Sequence, residues 1–456
     1  MKKIVFSIFM LLSFSIVYSE EQVVDENELF GDKNSEITVV KEENHNVDSE
    51  LSLKKISFSG EVYYKGSAGI KAGFVNKKDY QGYNSNASAN IFLDVRIKEG
   101  MKLFVDFEGN YYSKGKTKYE TLNYSENGID KSIVYKNELS SELLVKELFF
   151  DTNYQKKLYF RFGKQNLKWG TGYFWNPTDT INIEKKSFLD LDKRREGSYG
   201  VKTTIPLGNS GNIYIFLNSE GAKDLSDNGV SLKYEFLVKN SEMSVSLWSK
   251  RNRAPILGYD ISGRTSGIDF YGEAALSYGS DAKKINEKRV SEESSSGKDI
   301  YNLLYDNYNK KIYPKVVFGG TKYFDYKDIK DRISLTAELY YNGTGYSKNV
   351  IKSFLNDDNR INYYMTYFEP NDYGRIYAAF FSEFKKFQND NRKSIHINGI
   401  SNLSDKSGII SIGYKYIPFD EFIIESNLSG YFGNKYSEYM LGNDRFLIDA
   451  SAKLLF

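Results

Sequence analysis

Phe446-Leu-Ile-Asp-Ala-Ser-Ala-Lys-Leu-Leu-Phe456 sorts into two faces. Phe446, Ile448, Ala450, Ala452, Leu454 and Phe456 share one face, while Arg445, Asp449, Ser451 and Lys453 share the other. Successive side chains of a β-strand point to opposite sides, so alternation of this kind is a strand signal. Its apolar face runs unbroken to Phe456, and its other face is charged. Such a strand separates an oily environment from a watery one.

The same pattern repeats backward along the chain. The expected strands are 445–456, 421–432, 407–417, 394–402, 374–385, 331–341, 314–325, 267–278, 254–262, 242–251, 229–238, 211–219, 198–206, 157–165, 143–153, 101–112, 89–98 and 56–75. That makes eighteen; sixteen is the alternative, because 254–262 contains Pro255 and a glycine. In 331–341, Ile333, Leu335, Ala337 and Leu339 oppose Arg332, Ser334, Thr336 and Glu338. In 89–98, Ile91, Leu93, Val95 and Ile97 oppose Asn90, Asp94 and Arg96. A charge facing lipid at the bilayer midplane costs ~2–4 kcal/mol, which drives charges to the inner face. Strands cross lipid only as a closed ring, since closure leaves no unpaired edge. The expected fold is therefore all-β: a transmembrane antiparallel up-and-down barrel.

Composition agrees. Aromatic residues make up 16% of the chain, with 38 Tyr and 31 Phe, yet the mean hydropathy is only −0.52. A large soluble core would draw on Leu, Val and Ala instead. Strands that alternate lipid-facing and water-facing residues, with aromatic girdles at both interfaces, give this combination. With 62 Lys+Arg against 60 Asp+Glu, the formal charge is +2, and no one-signed field argues for nucleic acid. The absence of Cys excludes disulfides, thiolate metal sites, Cys catalysis and an N-terminal lipid anchor on Cys.

The N-terminus reads as an export signal. Lys2 and Lys3 precede an apolar run from Ile4 to Val17, and Val17 and Ser19 suit the −3 and −1 positions of a cleavage site. The expected organisation is a signal peptide over 1–19, cleaved after Ser19, a polar acidic periplasmic tail over 20–55, and the barrel over 56–456. The apolar run is shorter than the ~20 residues a membrane-spanning helix needs.

Connection lengths supply a second test, because one end of such a barrel carries short turns and the other long loops. With the C-terminus placed in the periplasm, that side receives Glu99-Gly100, Tyr154–Lys156, Leu207–Ser210, Lys239–Ser241, Gly263–Ser266, Tyr326–Lys330, Lys386–Lys393 and Pro418–Asp420. The extracellular side receives 113–142, 166–197, 279–313, 342–373 and 433–444, with short exceptions near 252 and at 403–406.

The final segment resembles the C-terminal signature of bacterial outer-membrane barrels, a terminal aromatic preceded by apolar residues at every second position. The resemblance implies that the barrel-assembly machinery reads the strand ending at Phe456. A second stretch, Arg161-Phe-Gly-Lys-Gln-Asn-Leu-Lys-Trp-Gly-Thr-Gly-Tyr-Phe-Trp-Asn-Pro-Thr-Asp179, followed by Ile181-Asn182, is similar to a segment of porin-like outer-membrane proteins. Their shared pattern is R-x-G-x-Q followed by W-G-x-G-x-F-x-N-P-T-D. This likeness covers a short stretch and implies the superfamily rather than a substrate; a homotrimer is expected only by analogy with that class.

Read from the residues themselves, that stretch leaves strand 157–165 with Arg161 and Gln165 facing inward, and Leu158, Phe160 and Phe162 facing lipid. Gly170 and Gly172 permit tight backbone turns. Trp169, Tyr173, Phe174 and Trp175 bring apolar mass that an exposed loop does not tolerate. Asn176-Pro177-Thr178-Asp179 reads as a turn. The loop is expected to fold back against the barrel wall. There it either narrows the pore or covers the rim, and Asp190, Asp192, Lys193, Arg194, Arg195 and Glu196 follow as constriction candidates. The pore-lining candidates are thus Arg161, Gln165, Trp169, Trp175, Asp179, Asp190, Arg194, Arg195, Arg332 and Glu338.

Catalysis finds little support. No phosphate-binding loop, paired His ligands or calcium-loop spacing stands out, so no metal, cofactor or catalytic residue is expected. The two His are His45 and His396. His396 lies on the Asn398 face and so points inward, whereas a phospholipase site faces outward. The expected function is a pore for passive passage of small hydrophilic solutes, since barrels of this size leave an aqueous channel. Lumen candidates Arg161, Arg332, Arg375, Lys233 and Lys453 against Asp94, Asp269, Glu273, Glu338 and Asp449 imply weak charge selectivity. The alternative is a non-conducting surface protein, an adhesin or antigen acting through loops such as 279–313. A third reading, docking of a cell-surface polymer, has Trp169 and Trp175 stacking on sugar rings.

Overall fold

Each strand pairs with its sequence neighbours on both sides, and the last pairs with the first. In the computed structural model, which describes residues 56–70, 80–126, 129–182, 185–191, 193–281, 311–349, 369–434, 436–441 and 445–456, the chain is a closed antiparallel ring of eighteen strands. They are β1 (Ile56–Ile70), β2 (Tyr80–Lys98), β3 (Met101–Glu126), β4 (Ile129–Tyr154), β5 (Leu158–Gln165), β6 (Ser198–Pro206), β7 (Asn212–Asn218), β8 (Gly229–Val238), β9 (Ser241–Ser249), β10 (Ile256–Thr265), β11 (Ile268–Tyr278), β12 (Ile312–Tyr326), β13 (Ile329–Asn342), β14 (Ile376–Phe384), β15 (Lys393–Asn402), β16 (Ser407–Phe419), β17 (Phe422–Phe432) and β18 (Phe446–Leu455). Eighteen is thus the strand number, and the sixteen-strand alternative falls. The doubtful segment 254–262 is β10, which begins just after Pro255; the proline has no N–H to donate, and its carbonyl accepts the Tyr278 N–H of β11 at 3.0 Å.

The faces sort as the alternation requires. On β13, Glu338 is 2% exposed while its neighbour Leu339 is 58% exposed. On β18, Asp449 is buried and Phe446, Ile448 and Leu454 are exposed on the outside. The inner wall is polar and paired across strands: Lys65 lies 3.2 Å from Asp449, and Lys102 2.8 Å from Asp94. Arg161 and Asp151 form a bidentate pair at 2.7 and 3.0 Å.

Short connections gather at the end where β18 finishes, such as 99–100, 239–240, 266–267, 327–328 and 420–421. The opposite end carries 166–197, 279–311, 343–375 and 433–445. One expectation needs correction. Residues 113–142 are not a loop: β3 and β4 continue through them, in register from Lys116↔Leu139 to Glu126↔Ile129. β2 stops pairing with β3 at Tyr112, and β5 stops pairing with β4 at Leu148. Within the described pairings, the outer part of this hairpin is therefore held only by itself. Residues 1–55, the end of the expected strand 56–75, Asp192 and most of 279–313 lie outside the described residues.

Candidate functional site

The segment between β5 and β6 is built to enter the barrel. It leaves β5 beside Gln165, whose Nε2 donates to the carbonyls of Arg161 (3.3 Å), Gly163 (3.4 Å) and Gly200 (3.4 Å). Leu167, Trp169 and Ile181 pack on Phe216 of β7. The next residues cross to two carboxylates on the inner wall.

Glu273 of β11 takes the first group. Its Oε1 accepts the N–H groups of Thr171 (2.7 Å) and Gly172 (2.6 Å) and the Asn176 amide (3.0 Å). Its Oε2 accepts the Thr178 N–H (3.1 Å) and hydroxyl (2.7 Å). Glu338 of β13 takes the second group: Tyr173 N–H at 2.6 Å, Phe174 N–H at 3.1 and 3.0 Å, and Trp175 N–H at 3.4 Å. A buried carboxylate is costly unless donors surround it, and these two are satisfied chiefly by peptide N–H groups.

Glycine is what lets the backbone come this close. Gly170 has φ +89°, and a Cβ there would lie 2.5 Å from a Glu273 oxygen. At Gly172 a Cβ would collide with the Trp175 carbonyl. The two glycines expected to permit tight turns thus also make room for the carboxylate.

The aromatic residues complete the docking. Trp175 stacks on Tyr340 of β13 at 5.2 Å and lies 5.7 Å from Tyr377 of β14. Phe174 and Phe188 both pack on Phe381 of β14, each at 5.9 Å. These rings join Val317, Ile400, Ile409 and Tyr431 in one apolar cluster on the inner wall. In a ring of eighteen, β14 is half a circuit from β5.

The return path crosses again. Asp179 accepts Arg195 Nη1 at 2.9 Å and the Asn182 amide at 2.8 and 2.7 Å. Lys186 donates to the Tyr173 carbonyl and, at 3.5 Å, to that of Gly172. Burial, with Lys168 and Arg195 nearby, pushes the Lys186 ammonium down to about 8. Asp190 lies within electrostatic reach of Tyr63 on β1. Arg194 stacks over Phe92 of β2 at 4.1 Å and approaches Asp106 of β3 at 3.8 Å. One segment therefore touches walls all round the ring.

The structure brings Trp175 and Glu338 into contact, pairs Asp179 with Arg195, and sets Gln165 against Arg161. Trp169 and Trp175 are both buried, with their rings covered by protein. Arg332 stands elsewhere: near the short-turn end of β13, it donates to the carbonyls of Lys385 (3.3 Å) and Lys386 (2.8 Å) and to Asn389 Oδ1 (3.0 Å). His396 faces inward and bonds Asn427 at 2.8 Å, with Glu425 at 3.5 Å. Sequence reasoning placed Glu273 on the lumen face but gave no sign that it anchors the segment, because its partners lie about a hundred residues away in sequence.

No family model matches the chain, and no curated protein matches it in sequence. Among solved structures, the crystal structure of Acinetobacter baumannii OccAB1 aligns with a TM-score of 0.50 at 9% identity, over 89% of this chain and 97% of that one. A triple mutant of the Rhodopseudomonas blastica porin aligns with a TM-score of 0.41 at 9% identity, over 88% of this chain and 100% of that one. What this chain shares with OccAB1 is the fold, a closed antiparallel β-barrel.

Proposed function

We propose that the chain is an outer-membrane channel of porin type that passes small hydrophilic solutes passively, with residues 166–197 narrowing its lumen. The observation that carries this reading is the docking of Trp175 on β13 and β14, half a circuit from the strand the segment leaves. Barrels of this width hold an aqueous channel, and a segment that crosses the interior narrows it. The inner wall carries both signs in cross-strand pairs, which supports weak charge selectivity. The export signal ending at Ser19, the short-turn end in the periplasm, the assembly signal at Phe456, lipid contact by the outer face and a homotrimer belong to the same reading. Nothing in it requires a catalytic residue, metal or cofactor.

The test is conductance of the purified protein in planar bilayers. Discrete, ohmic steps support the channel; silence of a correctly folded sample sinks it. A second reading, a non-conducting surface protein, is favoured by one feature: the outer part of the β3–β4 hairpin, whose strands find no neighbour among the described pairings.

A further inference from the structure

We propose that Glu438 is a positioning residue for the interior segment, acting through Asn371 on Trp175, so that the outer-end connections set how firmly the passage is narrowed. This deepens the channel reading and rests on it.

Glu438 lies in a single helical turn, Glu438–Met440, between β17 and β18. It is 3% exposed. Its Oε1 accepts the Asn371 N–H at 2.7 Å. Its Oε2 accepts the Tyr377 hydroxyl and the Asn402 amide, each at 2.8 Å. Its own N–H donates to Asp405 at 2.7 Å. One residue therefore joins the connections that follow β13, β15 and β17, its carboxylate binding Asn371, the β14 wall and the end of β15 and its N–H binding Asp405.

Asn371 passes the constraint inward. Its carbonyl accepts Trp175 Nε1 at 2.9 Å, and its side-chain oxygen accepts the Tyr439 hydroxyl at 2.7 Å. Its φ of +65° lies in the left-handed region, which asparagine enters more readily than other residues that carry a side chain. Asp372 fastens the same stretch to the wall, accepting Tyr340 OH (2.5 Å), Lys315 Nζ (2.5 Å) and Asn342 Nδ2 (3.0 Å). The path from Glu438 to the interior thus runs through three direct contacts: Glu438 to Asn371, Asn371 to Trp175, and Trp175 to the Tyr340 ring.

The position is sensitive to pH. The groups facing Glu438 are Asp405, the Tyr377 and Tyr439 phenols, and the Asn371 and Asn402 amides. Burial pushes the Glu438 carboxyl up to about 8, with Asp405 adding to the rise. Burial raises Asp405 as well. A carboxyl raised in the folded state contributes stability in full below the usual carboxylate range and loses it as pH climbs through the raised value. Keeping the Glu438 carboxyl buried therefore costs least in acid and most above about 8, where the burial cost of the charge outweighs the bonds that Asn371, Tyr377 and Asn402 donate to it.

The test follows Trp175 and conductance together. The chain has 3 Trp, so Trp169→Phe with Trp248→Phe leaves Trp175 as the only indole. Between about pH 6 and pH 9, acrylamide quenching of Trp175 and single-channel conductance should both rise, the quenching roughly twofold. Glu438→Gln should reduce both rises to the part that Lys186 supplies, since that ammonium is also pushed down to about 8, and Glu438→Asp should restore the larger change. If the wild type conducts but Glu438→Gln leaves both profiles unchanged, the proposal is overturned. If the wild type does not conduct, the channel reading fails, and quenching alone decides the positioning role: a pH-dependent rise reduced in Glu438→Gln sustains it, and a rise unchanged in Glu438→Gln or a flat wild-type profile ends it.

Discussion

Gly60 and Phe456 exchange both of their main-chain hydrogen bonds, at 2.7 and 3.0 Å, and the Phe456 ring lies where a side chain on Gly60 would be. A Cβ there would sit 2.5 Å from the ring and 2.6 Å from the Asn90 carbonyl. The seam between β1 and β18 closes over this contact. Gly60→Val should cost roughly 1–3 kcal/mol by overpacking and reduce the fraction of folded barrel. The heat-dependent mobility shift on a denaturing gel measures that fraction. Gly60→Ala should fall between the variant and wild type.

Removing Glu273 leaves five donors without their acceptor. Each buried donor left unmet costs roughly 1–3 kcal/mol, although water entering the lumen satisfies some of them. Glu273→Ala should therefore free the tip of segment 166–197 while the ring stays intact. The expected readout is larger, noisier conductance and new protease cuts within 166–182. Unchanged conductance in a folded variant would sink the narrowing role.

Gly170→Ala should reproduce that phenotype with both wall carboxylates in place. The residue has φ +89° and faces the Glu273 oxygens, so a methyl group pushes the backbone away from its acceptor. Combined with Glu273→Ala, it should add little, because both changes break the same contact.

Arg161 and Asp151 are buried together, and the guanidinium also lies 3.7 Å over the Phe149 ring. Arg161→Met leaves the carboxylate uncompensated, at a cost of about 3–5 kcal/mol. Unfolding in urea should show a loss of that size. Because a buried pair is poorly screened, the loss should persist from low salt to ~1 M.

Deleting 116–139 should leave the barrel folded and conducting, since these residues pair only with one another in the described register. Loss of binding to a host surface, with unchanged conductance, would favour the surface-protein reading for the hairpin.

Alternation made the strands legible, because burial of one face against lipid is a local demand that each strand meets by itself. It did not reveal height. Arg332 and Glu338 share a face, and only the register shows that Arg332 sits at a turn while Glu338 holds the interior segment. The hairpin over 113–142 was misread as loop because its Lys, Thr and Tyr residues lack an apolar face. Asn127-Gly128, the residue pair most typical of a two-residue hairpin turn, was the signal available. Glu438 was hidden for a different reason: nothing near it in sequence announces Asn371 or Tyr377.

The wall carboxylates Glu273 and Glu338 grip peptide N–H groups, not particular side chains, at most of their contacts. Recognition of that sort is indifferent to most of the alphabet. Provided the two glycines and the docked aromatic rings stay, exposed positions of the segment such as Lys185 and Ser187 are open to recoding. A library confined to those positions could retune which solutes pass without refolding the protein around each new choice.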